Sequence, residues 1–154
     1  MTVNTNKSWY LDTSVFLRAL LGESPAAKEW LDSRIARRER LVSSKLLHGE
    51  AIRTVMNHEL RNHRNNRRIP VDPYISSLIL VRISNEIVEE TGNIHYLLRT
   101  ADAIHVATAL RIGPEEVTIV THDRQMARAA RNLGFVVHDP VTDDPNSPPV
   151  TADW

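Results

Sequence analysis

Short apolar runs of strand character alternate with segments of helical spacing along almost the whole chain, and no other feature of the sequence restricts the fold as much. The runs are Ser8–Leu11, Arg40–Ser43, Leu80–Ile83, Val117–Val120 and Phe135–Val137. The segments between them cover about Ser14–Leu21, Pro25–Ile35, Lys45–Leu60, Pro73–Leu78, Asn85–Thr91, Ala101–Ile112 and Arg124–Asn132. Their ends carry start and stop residues. Thr13 or Ser14, Ser24, Ser43 or Ser44, Thr100 and Asp123 read as caps, and Gly22, Gly92, Gly113 and Gly134 as stops. Such alternation predicts a three-layer α/β/α domain with a mainly parallel central sheet of about five strands. Helical spacing places Trp30, Leu31 and Ile35 toward the core, and makes Ile52, Val55, Met56 and Leu60 the apolar stripe of the long third helix.

The 154 residues divide into one domain, 1–139, and a proline-rich acidic tail, 140–154. There is no cysteine, which excludes disulfides, thiolate metal sites and a cysteine nucleophile. No stretch approaches the ~20 apolar residues of a membrane span, and the N-terminus lacks the apolar segment of a signal peptide. These features predict a cytoplasmic protein with no membrane partner. The histidines show no zinc-type spacing, and there is no glycine-rich phosphate loop. Formal net charge is zero, yet residues 34–68 carry ten basic side chains against three acidic ones. The stretch Arg61–Arg68 has no apolar residue and reads as a helix end running into an exposed basic loop. A basic segment in a neutral chain is a candidate polyanion-binding face.

Four acids stand apart from the surface pairs. Asp12 and Asp123 fall at the ends of strand-like runs, Glu50 lies early in the helix after the second run, and Asp102 lies in the first turn after Thr100. In a parallel sheet all strand carboxyl ends lie on one edge, which is where ligands bind. Asp102 joins that edge only if its helix also begins there. Each acid alone has a simpler account: a cap for Asp12 and Asp123, a favourable dipole position for Asp102, an ion pair with Arg53 for Glu50. Together they form a cluster whose mutual repulsion a hard divalent cation relieves. Oxygen-only donors favour Mg²⁺ or Mn²⁺ over Zn²⁺. Such an ion activates water for in-line attack on a phosphodiester.

The segments Tyr10-Leu-Asp-Thr-Ser-Val-Phe-Leu17, Ser43-Ser-Lys-Leu-Leu-His-Gly-Glu-Ala51, Arg99-Thr-Ala-Asp-Ala-Ile-His-Val-Ala-Thr-Ala-Leu110 and Val120-Thr-His-Asp-Arg-Gln-Met-Ala-Arg-Ala-Ala130 occur in this order. The chain resembles the PIN-domain ribonucleases, and among them the VapC-type toxins of toxin–antitoxin pairs. The resemblance implies a Mg²⁺- or Mn²⁺-dependent endoribonuclease whose acidic quartet is Asp12, Glu50, Asp102 and Asp123. It implies Asp12 and Asp102 as direct metal ligands, with Glu50 and Asp123 acting through water or orienting the attacking water. Thr13 or Ser14, and Thr121, match the small hydroxyl residues beside the quartet, and His105, on the helix face of Asp102, reads as holding Asp102 in place. Arg61, Arg64, Arg67, Arg68 and Arg124 are the candidate RNA contacts. Implied partners are RNA, a cognate antitoxin and a second copy of the chain in a homodimer.

A PIN-like RNA-binding or RNA-processing protein that is not a toxin is the alternative. A receiver-type signalling domain is excluded. Thr13 stands where a second acid is needed, Ser84 where an acceptor aspartate is needed, and no lysine follows Lys45.

Overall fold

The computed structural model describes residues 7–62 and 69–143. Arg64, Arg67, Arg68 and residues 144–154 therefore lie outside the described residues. The elements are β1 (Ser8–Leu11), α1 (Thr13–Leu20), α2 (Pro25–Ala36), β2 (Leu41–Ser44), α3 (Lys45–Arg61), α4 (Asp72–Ile75), β3 (Leu78–Val81), α5 (Asn85–Glu90), a 3₁₀ turn (Thr91–Asn93), α6 (Thr100–Ile112), β4 (Val117–Val120), α7 (Arg124–Asn132) and β5 (Val136–His138). The sheet has five strands in the order β3-β2-β1-β4-β5, and every pairing is parallel. Among the described residues no helix is long and apolar enough to cross a membrane.

Strand alternation sends successive side chains to opposite faces, and this divides the core in two. Leu11, Leu41, Leu78 and Val120 meet α1, α2 and the start of α3 on one face. Tyr10, Val42, Ile119 and Val137 meet α5, α6 and α7 on the other. The three layers expected from the sequence follow directly.

Four local expectations are corrected. β3 begins two residues early, because α4 is a single turn that the hydroxyls of Ser76 and Ser77 close by donating to the Pro73 carbonyl, each at 3.0 Å. A slip of two keeps the faces unchanged. In α3 the buried side is Leu47, Ala51 and Val55, while Ile52, Met56 and Leu60 are 48%, 43% and 65% exposed. The helix meets β2, β3 and α1 with its i, i+4, i+8 row from Leu47, so most of the apolar stripe read from the sequence faces out. The N-cap position of α1 is Asp12, whose side chain makes no cap bond. That of α6 is Arg99 rather than Thr100. The other starts are as read: Ser24, Ser44 and Asp123 accept from Ala27, Leu46 and Met126 N–H groups at 3.2, 3.1 and 2.8 Å. Past β5, residues 139–143 form a turn in which the Asp139 N–H donates to the Asp143 carboxylate (2.7 Å) and the Asp143 N–H to the Asp139 carbonyl (2.9 Å).

Candidate active site

All strands being parallel, β1, β2 and β4 end on one edge. Asp12 follows β1 directly, its N–H donating to the Val120 carbonyl at 3.0 Å. α3 leaves β2 at the same edge and carries Glu50 a turn and a half in. Thr121 and Asp123 follow β4. α5 carries the chain down from β3 and α6 then starts back at this edge, which the sequence alone does not fix. Asp102 thereby joins the others.

Asp12 is buried and held by two hydroxyls: Ser14 Oγ donates to its Oδ2 at 2.7 Å and Thr121 Oγ1 donates to the same oxygen at 2.9 Å. Thr121 also accepts the Asp123 N–H at 3.0 Å, so one threonine ties the first acid of the chain to the last. The hydroxyls read as helix caps or site neighbours in the sequence thus aim the carboxylate.

Thr13 and His105 organise Glu50. Thr13 Oγ1 donates to Glu50 Oε1 at 2.8 Å and lies 2.8 Å from His105 Nε2, while the Tyr10 hydroxyl lies 2.9 Å from His105 Nδ1. Burial pushes the Tyr10 phenol well above its ordinary range, so it keeps its proton. Because the Thr13 proton goes to Glu50, the Thr13 oxygen is left to accept from Nε2–H, and in the neutral ring Nδ1 then accepts from the Tyr10 hydroxyl, so each group along this line has a partner. His105 Nε2 is also 3.5 Å from Glu50 Oε1 and 3.9 Å from Asp12 Oδ1. The imidazole, with Thr13 adding to it, holds Glu50 below the usual carboxylate range against the opposing effect of burial. His105 therefore braces Thr13 and Glu50 rather than Asp102. The ion pair of Glu50 with Arg53 does not form, and Arg53 donates to Asn57 at 3.4 Å.

Asp102 has a different partner. Arg99 Nε donates to its Oδ2 at 3.1 Å from a largely exposed position. Burial raises the Asp102 carboxyl above its usual range; Arg99 pulls it down, and the charges of Asp12 and Asp123 push it up. The acids therefore feel one another across the edge.

Among the described residues no three acidic or imidazole side chains stand close enough together to enclose a metal ion. The donors that face the edge are carboxylate and hydroxyl oxygens, because both nitrogens of His105 are already engaged. This set fits a hard divalent cation that keeps much of its water, and not a zinc-type cage.

Of the candidate RNA contacts, Arg124 is exposed beside Asp123. Arg61 ends α3, about 16 Å along the helix from Glu50 at 1.5 Å per residue, and is not part of this edge. His122 turns to Asp139, with Nδ1 2.6 Å from its Oδ1. The sequence reading did not assign Tyr10, Arg99 or Asp139. Arg99 was findable as the i−3 neighbour of Asp102, and Tyr10 by its strand parity, once the α6 face of the sheet was known.

A family model described as the PIN domain matches residues 9–132. Ribonuclease VapC46 of Mycobacterium tuberculosis is 32% identical over 134 residues, which cover 85% of this chain and 96% of that protein. Two solved structures share the fold. A toxin–antitoxin complex from Klebsiella pneumoniae has a chain that superposes with TM-score 0.60 at 22% identity, covering 86% of this chain and 98% of its own. VapBC2 from Rickettsia felis, bound to a DNA fragment from its promoter, superposes with TM-score 0.62 at 14% identity, covering 85% and 97%. On the match to its sequence model and on this likeness to a VapC protein, the chain belongs to the PIN-domain family.

Proposed function

We propose that the protein is a Mg²⁺- or Mn²⁺-dependent endoribonuclease that acts as the toxin of a toxin–antitoxin pair. The observation that carries this reading is that Asp12, Glu50, Asp102 and Asp123 all lie along one sheet edge, with Asp12 fixed by Ser14 and Thr121 and Glu50 fixed by Thr13. Asp12 and Asp102 would hold the ion directly, and Glu50 and Asp123 through water. When bound, the divalent ion supplies positive charge against the phosphate and makes a water more acidic. Glu50, kept ionised by His105, orients the attacking water and accepts its proton. Arg99 is exposed enough to leave Asp102 and turn toward a phosphate oxygen. The relatedness to VapC46 and the fold shared with toxin–antitoxin structures support an antitoxin as partner and RNA as substrate. Homodimerisation and residence in the cytoplasm belong to the same reading.

Purified protein incubated with total RNA should cleave it with Mn²⁺ or Mg²⁺ and stop when EDTA is added. Asp12→Asn and Asp102→Asn should each lose at least about 100-fold of this rate, since each removes a charge on which the ion depends. Metal-independent cleavage, or full activity of both variants, would sink the mechanism. Rescue of growth by co-expression of a neighbouring small open reading frame separates a toxin from a PIN protein that processes RNA.

A further inference from the structure

Beside Asp123 the carboxyl edge opens into a cavity of about 590 Å³ between α1, α7 and the 139–143 turn. That size suits a ligand of about 300–1,000 Å³ pockets. Arg18, His122, Arg124 and Arg131 line it, together with Thr121 and Asp123 of the candidate active site. Its charges are unequally committed. Asp139 takes the His122 imidazole and the Val141 N–H, and Asp143 takes the Asp139 N–H. These acids serve the turn. Arg18, Arg124 and Arg131 form no ion pair with a described residue, and Arg18 and Arg124 are exposed.

Two polar atoms here are buried with no partner: Nε2 of His122 and Nε of Arg131. The His122 side chain is only 5% exposed. Buried polar atoms without partners are uncommon and cost free energy unless a ligand satisfies them. With Nδ1 taken by Asp139, Nε2 is the ring nitrogen that His122 leaves for a ligand. Arg131 Nε leaves a donor. Two unpartnered nitrogens on side chains that line one cavity with the exposed guanidinium groups of Arg18 and Arg124 match a nucleotide: a base or ribose edge and a phosphate.

We propose that this cavity is a nucleotide subsite, taking one nucleotide of single-stranded RNA next to the bond cut at the carboxylates. Arg18 and Arg124 contact phosphate, and His122 with Arg131 reads the base or ribose edge. The assignment rests on the RNA-cleavage reading, because the cavity shares Thr121 and Asp123 with that site. It makes His122 a specificity-determining residue and not a catalytic one.

The test is binding without cleavage: the full chain in EDTA, titrated by fluorescence anisotropy with labelled single-stranded RNA octamers of A, of C and of U, over a range of salt. Arg18→Ala should weaken all three several-fold and reduce the slope of log K against log salt by about 0.7, the single-strand value for one phosphate contact. His122→Gln, checked for folding by thermal melting, should keep the salt slope and change the ranking of the octamers. Arg111→Ala, at the far end of α6, should do neither. Wild-type slope and ranking in both Arg18→Ala and His122→Gln overturn the subsite, as does absence of wild-type binding. An equal effect of Arg111→Ala also overturns it, since the attraction is then diffuse. Cleavage in metal without these binding effects keeps the nuclease reading and removes the subsite. These binding effects without any cleavage in metal do the reverse.

Discussion

Thr13 is the residue on which the local geometry turns. Its hydroxyl takes the His105 N–H and gives its own proton to Glu50, so one atom links the α6 layer to the α3 layer through the first residue of α1. A methyl in its place takes away the 2.8 Å partner of a buried imidazole N–H, leaving it only Glu50 Oε1 at 3.5 Å, and removes the hydroxyl that fixes the Glu50 carboxylate. Thr13→Val should therefore destabilise the protein by about 1–3 kcal/mol, the cost of a buried donor without a partner. Thr13→Ser, which keeps the hydroxyl, should lose less than half of that. Urea denaturation of the two variants decides, and equal losses would show that the methyl packing of Thr13, not its hydroxyl, is what matters. Arg99 is a contrasting case. It is bonded to Asp102 yet exposed, and such a pair contributes little to stability.

At the scale of elements, α3 separates what periodicity reveals from what it does not. The helix was legible from its length, from Ser44 and from its apolar content. Its orientation was not, because apolar residues occupy two adjacent rows, Leu47–Ala51–Val55 and Ile52–Met56–Leu60, and only packing against β2, β3 and α1 selects the first. Leu47→Ala should cost about 2–5 kcal/mol, whereas Leu60→Ala should stay within about 0.5 kcal/mol. Equal losses in thermal or urea unfolding would contradict this orientation. The strands were readable because β-rich runs of four residues sit between clear stops, and the error in β3 preserved its faces. Asp12 and Asp123 were readable as strand-end residues for the same reason. Asp102 needed the return path through α5 and the 3₁₀ turn. The role of His105 needed Tyr10, whose side chain points to the α6 side of the sheet and is distant in sequence. Pairings that cross layers leave no periodic trace.

The molecule as a whole responds to acid through groups outside the acidic edge as well as within it. His138 is buried between Trp9 and Trp30, with ring centroids 5.7 and 5.8 Å away. Burial holds its imidazole below the ordinary value of 6.5. Below that value the unfolded chain takes up a proton that the folded chain refuses, so unfolding binds protons and stability falls as pH drops. Glu50 and Asp139 also sit below the carboxylate range, Asp139 through the Val141 N–H and His122 against the effect of burial. Their stabilisation is present at neutral pH and is lost further down, as the solution passes through their lowered values. The first loss on acidification is thus assigned to His138. Between about pH 7.5 and pH 5.5 the melting temperature should fall more in the wild type than in His138→Gln. An identical fall in both would place the sensitivity elsewhere.

The strand order β3-β2-β1-β4-β5 also sets a timetable. Chains emerge from the ribosome N-terminus first and begin to fold as they do. Once residue 81 is out, β1 has its neighbour on one side only; β4, its other neighbour, begins at Val117. Asp12 is made among the first residues, yet one of the two hydroxyls that fix it arrives with Thr121. A chain interrupted before that point carries Asp12, Glu50 and Asp102 beside a bare flank of β1. The acidic edge is completed only after β4 has been made, so a message broken before Thr121 yields an incomplete site rather than a smaller working one.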